Sequence, residues 1–328
     1  MTNIKDVAQA AGVSVATVSR YLNKKGYVSN ESRDSIQTAI ETLQYKPNLI
    51  ARSLSTKQSN IIGLILPDIT NPFFPELARA VEDIALTHGY TVVLCNSDQK
   101  SLKEKQYIEM LTQKYVAGFI LTSSLLKTDY YKSLGVPIVG LDRATSIPFP
   151  TVSTDNKKGA KLATEYLIKC GSRNIVCLRG PKDVGVAEDR LHGFLEAIQN
   201  INVKSHIIES PFDFESSMKI IHEYLSKNKN IDGIFACSDA SAIGSIKAAH
   251  SLGIDIPGQL QIIGFDGVLL GEMITPALTT IAQNIYQMGA KAAKLLIQQI
   301  EGEQPKEERI QLDPTLVVRE TTRKGVLI

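Results

Sequence analysis

Two sets of residues in this 328-residue chain have the types and spacing to do chemistry. The first is the run Ser14-Val15-Ala16-Thr17-Val18-Ser19-Arg20-Tyr21-Leu22-Asn23. Read as a helix, it turns Val18 and Leu22 toward a preceding helix and puts Val15, Ala16, Ser19 and Arg20 on the opposite face. Val15 and Ala16 suit apolar contact with thymine methyls, and Arg20 suits a bidentate bond to guanine. Thr17, Asn23, Lys24 and the backbone amides at the helix start, where Ser14 caps, suit phosphate oxygens. On any other helix Arg20 would read as a solvated side chain. The second set follows apolar, strand-like runs: Asp68, Asn71, Asp142-Arg143, Ser238-Asp239 and Asp266, with Arg190 opening a helical stretch. Asp142, Asp239 and Asp266 alone would make an acid/base or metal pair. With Arg143 and Arg190 in the same cleft, a binding site of paired charges fits better, and nothing requires catalysis.

The elements that must position these residues fall into two textures. In residues 1–47, Thr2 can cap a helix that carries Ile4, Val7, Ala8 and Ala11 at helical spacing, and Gly12 supplies a turn before the run from Ser14. A third helix over residues 30–43 buries Ile36, Ala39, Ile40 and Leu43, and Pro47 ends the module. Helix, glycine turn, helix is the form of a helix-turn-helix unit. Residues 48–60 are polar and basic but carry Leu49, Ile50, Ala51 and Leu54 at helical spacing. That segment reads as a conditional hinge helix, marginal by itself in water, or as a solvated linker. From residue 61 onward apolar strands (61–66, 91–95, 118–121, 137–141, 174–178, 231–237, 261–265) alternate with helices such as 75–87, 158–170, 189–199, 240–251 and 286–300. This is the α/β pattern of parallel sheets covered on both faces. Its length suggests two similar subdomains. Ligands of such sheets sit beyond the carboxyl ends of the strands.

Composition narrows the classes. Hydrophobic residues make up 43% and charged ones 21%, ordinary for a globular chain. No apolar run reaches the ~20 residues of a membrane span, and the start lacks an apolar leader, so a cytoplasmic protein without membrane attachment is expected. The net charge of +2 hides an asymmetry: residues 1–60 hold eight basic and four acidic residues, giving +4, and the remainder sums to −2. A basic module on a mildly acidic body suits an anionic partner for the module alone. Cys95, Cys170, Cys177 and Cys237 are scattered and read as buried reduced thiols. The chain lacks a Gly-x-Gly-x-x-Gly, a Gly-x-Ser-x-Gly elbow and a His-Glu-x-x-His. Gly180 and Gly185 have phosphate-loop spacing, but Val186-Ala187 stand where Lys-Ser/Thr is needed. No cofactor, metal or enzymatic activity is expected.

Residues 4–23, Ile-Lys-Asp-Val-Ala-Gln-Ala-Ala-Gly-Val-Ser-Val-Ala-Thr-Val-Ser-Arg-Tyr-Leu-Asn, closely resemble the DNA-binding signature of the lactose/galactose repressor (LacI) family. The likeness continues through Tyr45-x-Pro47-Asn48 and Ala51-Arg52-Ser53-Leu54 and covers essentially the whole chain. It implies an all-α DNA-binding domain (1–47), a hinge helix (48–60) and a two-subdomain, doubly wound domain like the periplasmic sugar-binding proteins (61–328), its subdomains about 61–152 with 285–312 and about 153–284 with 313–328. It also implies that paired hinge helices enter the minor groove, Arg52 among the contacts and Leu54 as the apolar wedge that kinks DNA. Thr70-Asn71-Pro72-Phe73-Phe74, Leu141-Asp142-Arg143, Phe265-Asp266-Gly267 and Thr280-Ile281-Ala282-Gln283 resemble ribose binders. On that resemblance Phe73, Phe74 and Phe214 stack on the sugar's apolar faces, although core packing is an even reading for any one of them. Asn71, Asp142, Arg143, Arg190, Asp266 and Gln283 bracket its hydroxyls. Ser238 departs from the usual asparagine, which puts contacts at that hydroxyl in doubt.

The resemblance therefore implies a transcriptional repressor, a homodimer on a pseudo-palindromic operator, released by a neutral sugar, ribose first. Asp142 and Asp266 would repel a phosphate. A dimer is preferred because residues 321–328 are too few for a heptad bundle. The alternatives are a repressor answering another sugar, a nucleoside or a purine, then a transport receptor or a sugar enzyme.

Overall fold

The structure, a computed structural model, describes residues 2–23, 26–45, 59–122, 125–142, 149–182 and 184–323. It separates into two compact units, residues 1–59 and 60–328.

The first unit holds helices α1 (Ile4–Ala10), α2 (Val15–Asn23) and α3 (Asn30–Thr42). The cap of α1 is Asn3, not Thr2 as the sequence suggested. The Asn3 carboxamide accepts the Lys5 N–H at 2.8 Å and the Asp6 N–H at 3.4 Å, and the Asp6 carboxylate in return accepts the Asn3 N–H at 2.8 Å. This reciprocal box satisfies amides that the first turn leaves without partners. Gly12, at φ +66°, makes the turn into α2. Val7, Ala8, Val18, Val28, Ile36 and Ala39 form a small buried core, with Leu22, Ile40 and Leu43 half-buried against it.

The second unit starts with β1 (Ile61–Leu66), α4 (Phe73–Thr87), β2 (Thr91–Asn96), α5 (Ser101–Gln113), β3 (Gly118–Leu121), α6 (Thr128–Lys132), β4 (Ile138–Leu141) and β5 (Thr151–Thr154). It continues with α7 (Asn156–Lys169), β6 (Asn174–Arg179), α8 (Gly185–Ile198), β7 (Lys204–Glu209), α9 (Phe214–Lys227), β8 (Gly233–Ala236) and α10 (Asp239–Ser251). β9 (Gln261–Asp266), α11 (Leu269–Met273), β10 (Thr279–Ala282), α12 (Ile285–Ile300), β11 (Arg309–Leu312) and β12 (Thr315–Val317) follow. One sheet has the order β11-β5-β4-β3-β1-β2, the other β12-β10-β9-β8-β6-β7. All pairings are parallel except β10 with β12.

Period-two alternation explains why each sheet is covered twice. β1 sends Ile62, Leu64 and Leu66 against Leu77 and Val81 of α4 and Leu296 of α12. Its Ile65 packs on the opposite face, with Ile108 and Leu111 of α5. In the other sheet Val176 and Leu178 of β6 meet Ile221 of α9 and Ala242 of α10. Ile175 and Cys177 meet Ala163 and Leu167 of α7 and Phe194 of α8. Strands buried on both faces read as continuous apolar runs, which is why they stand out in the sequence.

Among the described residues the chain passes from one sheet to the other three times: between β5 and α7, between β10 and α12, and between β11 and β12. These crossings are tied together. The Asp155 N–H donates to the Leu312 carbonyl at 2.9 Å, and the Thr154 hydroxyl lies 3.2 Å from the Met288 sulfur of α12. The four cysteines are buried and free of disulfides. No helix among the described residues is long and apolar enough to cross a membrane.

Candidate functional site

The carboxyl ends of the strands gather the polar residues of the second unit. Arg190, from the first turns of α8, is 3% exposed, and its guanidinium lies over the Phe265 ring with 3.9 Å from Cζ to the centroid. Its Nε donates to Asn156 Oδ1 at 2.8 Å, and Nη1 donates to the Cys237 carbonyl at 2.6 Å. Nη1 also approaches Asp266 Oδ1 at 3.5 Å. Asp266 closes β9 and is itself buried. Its Oδ1 accepts the Gln283 Nε2–H at 2.8 Å, and Oδ2 accepts the Asp239 N–H at 3.4 Å. Gln283 Oε1 is buried without a hydrogen-bond partner among the described residues. A buried carboxamide oxygen of this kind costs free energy until a donor reaches it.

Electrostatics set the state of this cluster. Burial, with the neighbouring Asp239 and Asp142 carboxyls adding to it, pushes the Asp266 carboxyl up to about 8 against the pull of Arg190. Asp239, deeply buried at the start of α10, is raised to about 6 by burial. Its ionised form is held by the Gly267 and Val268 amides, each at 2.8 Å, and by the Thr280 hydroxyl at 2.6 Å. Asp239 is therefore a clamp on the β9–α11 turn rather than an open ligand. Gly264 leaves it room, since a Cβ there would lie 2.3 Å from Asp239 Oδ1. Asp142 sits at φ +53° and Asp266 at φ +133°, backbone values that L residues rarely adopt. Such strain gathers where a site needs a side chain aimed against local preference.

The sequence-derived residues are placed as follows. Arg190, Asp266 and Gln283 come together, with Asp142 near enough to act on the Asp266 carboxyl. Asn71 uses Oδ1 to accept the Phe73 N–H at 3.1 Å, and its Nδ2 reaches the Phe212 carbonyl at 3.4 Å, linking loops of the two sheets. Phe73 is 3% exposed and packs among Leu77, Val81 and Ile285, so core packing describes it; Phe74 stands edge-on to it at 5.1 Å, half-buried. Ser238 is an N-cap, its hydroxyl accepting the Ser241 N–H at 3.1 Å and donating to Ser241 Oγ at 2.8 Å. Asp68 is occupied by Thr70, whose hydroxyl lies at 2.7 Å. Arg143 falls outside the described residues. Among those described, no cluster of His, Cys, Asp or Glu is arranged to hold a metal ion.

One aromatic differs from the sequence reading. Phe214 is the first residue of α9, 38% exposed, while Phe212 is the ring that faces Arg190, at 5.9 Å. Phe212 lies over Gly180, where a Cβ would come within 2.1 Å of the ring. A signal for it was present: Asp213 caps α9 by accepting the Ser216 N–H at 2.7 Å, and that cap swings Phe214 out of the extended segment.

In the first unit α2 presents a largely exposed face. Ser14, Val15, Ala16 and Arg20 are exposed, Thr17 and Ser19 half-buried, and Val18 fully buried against α1 and α3. The Ser14 hydroxyl accepts the Thr17 N–H at 3.1 Å and lies 2.9 Å from Thr17 Oγ1, so both hydroxyls fix the helix start. The side chains of Asn23, Lys24, Arg52 and Leu54, and the hinge helix as a whole, lie outside what the structure describes.

Both units match known proteins. Residues 3–48 match the pattern of bacterial regulatory proteins of the lacI family, and residues 59–319 match the periplasmic binding proteins and sugar-binding domain of that family. The ribose operon repressor of Halalkalibacterium halodurans is 51% identical over 99% of this chain and 98% of its own length. That of Bacillus subtilis is 41% identical over 99% of both chains. A LacI family regulator from Enterococcus faecium solved with bound ribose is 32% identical, with a TM-score of 0.73 over 80% of this chain and 98% of that one. The lac repressor dimer bound to operator is 25% identical, with a TM-score of 0.85 over 98% of both. With both parts matched in order and at full length, the chain belongs to the LacI family.

Proposed function

We propose that this chain is a sequence-specific DNA-binding repressor of a sugar-utilisation operon, released from its operator when ribose binds at the Arg190–Asp266 cluster. The observation that carries the effector class is the buried cluster itself. A guanidinium held flat on Phe265, a carboxyl that keeps its proton into the neutral range and a carboxamide oxygen lacking a donor suit vicinal hydroxyls. The Asp239 carboxylate beside this cluster, ionised at neutral pH, would repel a phosphate. Likeness to ribose operon repressors supports ribose over other neutral sugars. Asn71, Phe74, Asp142, Arg143 and Gln283 join the site in this reading, with Phe212 as the stacking ring in place of Phe214.

The DNA contacts are assigned to α2: Val15, Ala16, Ser19 and Arg20 at base edges, with Ser14, Thr17 and Asn23 at phosphates. Arg52 and Leu54 of the 48–60 hinge act in the minor groove. Two subunits match a pseudo-palindromic operator, because two-fold protein symmetry calls for symmetric half-sites. The division at residues 47 and 60 and the two subdomains belong to the same reading, as do action in the cytoplasm and the lack of an enzymatic step. The test takes the full-length chain and a duplex it selects from a random-sequence pool. Ribose at saturation should weaken binding at least tenfold in fluorescence anisotropy, and calorimetry should show ribose bound in preference to ribose 5-phosphate and purines. Tight binding of a phosphorylated sugar or a purine, with none of ribose, would overturn the effector.

A further inference from the structure

We infer that Asn156 is the positioning residue that couples the effector cluster to the chain crossings between the two sheets. The inference rests on the reading of that cluster as the effector site. Asn156 is the first residue of α7, 4% exposed, and it carries no charge to mark it in the sequence. Both ends of its carboxamide are used. Nδ2 donates to the Thr154 carbonyl at 3.0 Å, and Oδ1 accepts the Arg190 Nε–H at 2.8 Å. Thr154 is the last residue of β5, where the chain leaves one sheet for the other.

The same short segment holds the other crossings. The Asp155 N–H donates to Leu312, at the β11–β12 crossing, and the Thr154 hydroxyl meets Met288 of α12, the helix that follows the β10 crossing. Lys158 and Asp313 pair across it at 2.6 Å. A second link comes from the far side of the cluster: Gln283, in the β10–α12 crossing, donates its side-chain N–H to Asp266 Oδ1 and its backbone N–H to the Asp266 carbonyl at 2.9 Å. The guanidinium and the carboxyl are thus each tied to a crossing. Gln283 does so beside the ligand, with an oxygen to offer it, whereas both polar ends of Asn156 are committed to the protein. A ligand that draws Arg190 outward must pull on Oδ1, and the pull passes through a rigid planar amide to the Thr154 carbonyl. Ligand binding and the angle between the sheets then share one free energy, which is what allosteric coupling requires.

The test separates coupling from binding and from packing. Asn156→Asp keeps an oxygen for Arg190 Nε but replaces the donor to Thr154 with a second acceptor. Asn156→Ala removes both bonds and adds no charge. Each full-length variant is measured by calorimetry for ribose affinity, by anisotropy for the ratio of operator affinities without and with saturating ribose, and by small-angle scattering for compaction on ribose addition. Asn156→Asp should bind ribose within about tenfold of wild type yet lose at least fivefold of the operator ratio, with a reduced compaction. Asn156→Ala should lose the ratio as well and bind ribose more weakly, and it carries the test if the aspartate variant does not fold. A merely structural role would lower the melting temperature and leave the ratio at saturation unchanged, and that outcome in either folded variant overturns the coupling. Wild-type protein that neither binds ribose nor responds to it would instead remove the effector reading, and the coupling with it.

Discussion

The exposed face of α2 and the Arg190–Asp266 cluster, the two proposed recognition sites, are built in opposite ways. On α2 most of the side chains proposed to read bases stand in solvent, and what is fixed is the backbone beneath them, through the Ser14 cap and buried Val18. In the cluster the recognising groups are buried and already bonded to one another. A surface of the first kind pays rotamer entropy when its partner arrives and tolerates substitution of one contact at a time. A site of the second kind is organised on folding, so its ligand exchanges bonds rather than creating them, and one deletion disturbs every neighbour. A large polyanion suits the former; a small neutral polyhydroxyl suits the latter.

The contrast is broken most directly at Arg190. Arg190→Ala strands Asn156 Oδ1 and the Cys237 carbonyl and removes charge-assisted bonds worth about 1.5–3 kcal/mol each. Ribose affinity should fall at least about 100-fold, two decades at ~1.4 kcal/mol each, while operator binding without sugar persists. Ribose binding by calorimetry within threefold of wild type would show that the guanidinium is structural.

Acidity tests the same cluster without a ligand. Asp266 has its pKa raised to about 8 from the usual carboxyl value near 3.8, so the folded chain holds a proton that the unfolded chain releases. That contribution is fully present below about pH 4 and is lost as pH rises through about 8; Asp239, raised to about 6, adds in the same direction. The melting temperature of the sugar-free second unit should therefore decline from pH 5 to pH 8. Asp266→Asn, which keeps a neutral group beside Arg190 and Gln283, should flatten the decline, and an unchanged slope in that variant would place the titration elsewhere.

On α2 the effects should be separable by base. Arg20→Ala should cost about 1–3 kcal/mol per contact and relax preference at one base pair of each half-site. A loss uniform over all base substitutions in a competition assay would move Arg20 to the phosphates and make α2 an electrostatic surface.

How much of this was legible in the sequence follows the same division. β1 and β9 are continuous apolar runs because parallel strands are buried on both faces, and their ends delivered Asn71 and Asp266. β7 lies at a sheet edge with alternating half-burial, and β12 is a three-residue edge strand, so neither leaves an apolar run to read. β5 is fully buried but spelled Thr-Val-Ser-Thr, polar in type while its backbone is paired on both sides. Charged residues after strands announced themselves; Asn156 did not, and Phe212 did so only through the Asp213 cap that starts α9. Phe212 depended on where α9 begins, and Asn156 depends on bonds to residues 34 positions away and two positions away at once. Sequence spacing marks groups that chemistry alone makes rare, and misses ordinary residues whose role is conferred by contact.

The smallest effect concerns the backbone beneath the exposed face. Ser14 Oγ accepts the Thr17 N–H at 3.1 Å, an amide it shares with the Ser14 carbonyl at 2.9 Å, and pairs with the Thr17 hydroxyl. Ser14→Ala should destabilise the first unit by ~1 kcal/mol, as loss of an N-cap commonly does. Because the side chains at bases are unchanged, operator affinity should fall only modestly and equally for all base substitutions, with ribose affinity unaffected. Ser14→Asp offers the contrast: a carboxylate caps as well as serine and favours the positive end of the helix, so stability should recover. In the proposed complex the same charge faces the phosphates, so operator binding should weaken more than in Ser14→Ala. Chemical denaturation of the first unit, followed alongside anisotropy, reads both quantities. If the aspartate variant regains stability and keeps full operator affinity, the start of α2 lies away from the DNA backbone, and only the base-facing residues remain as its reading surface.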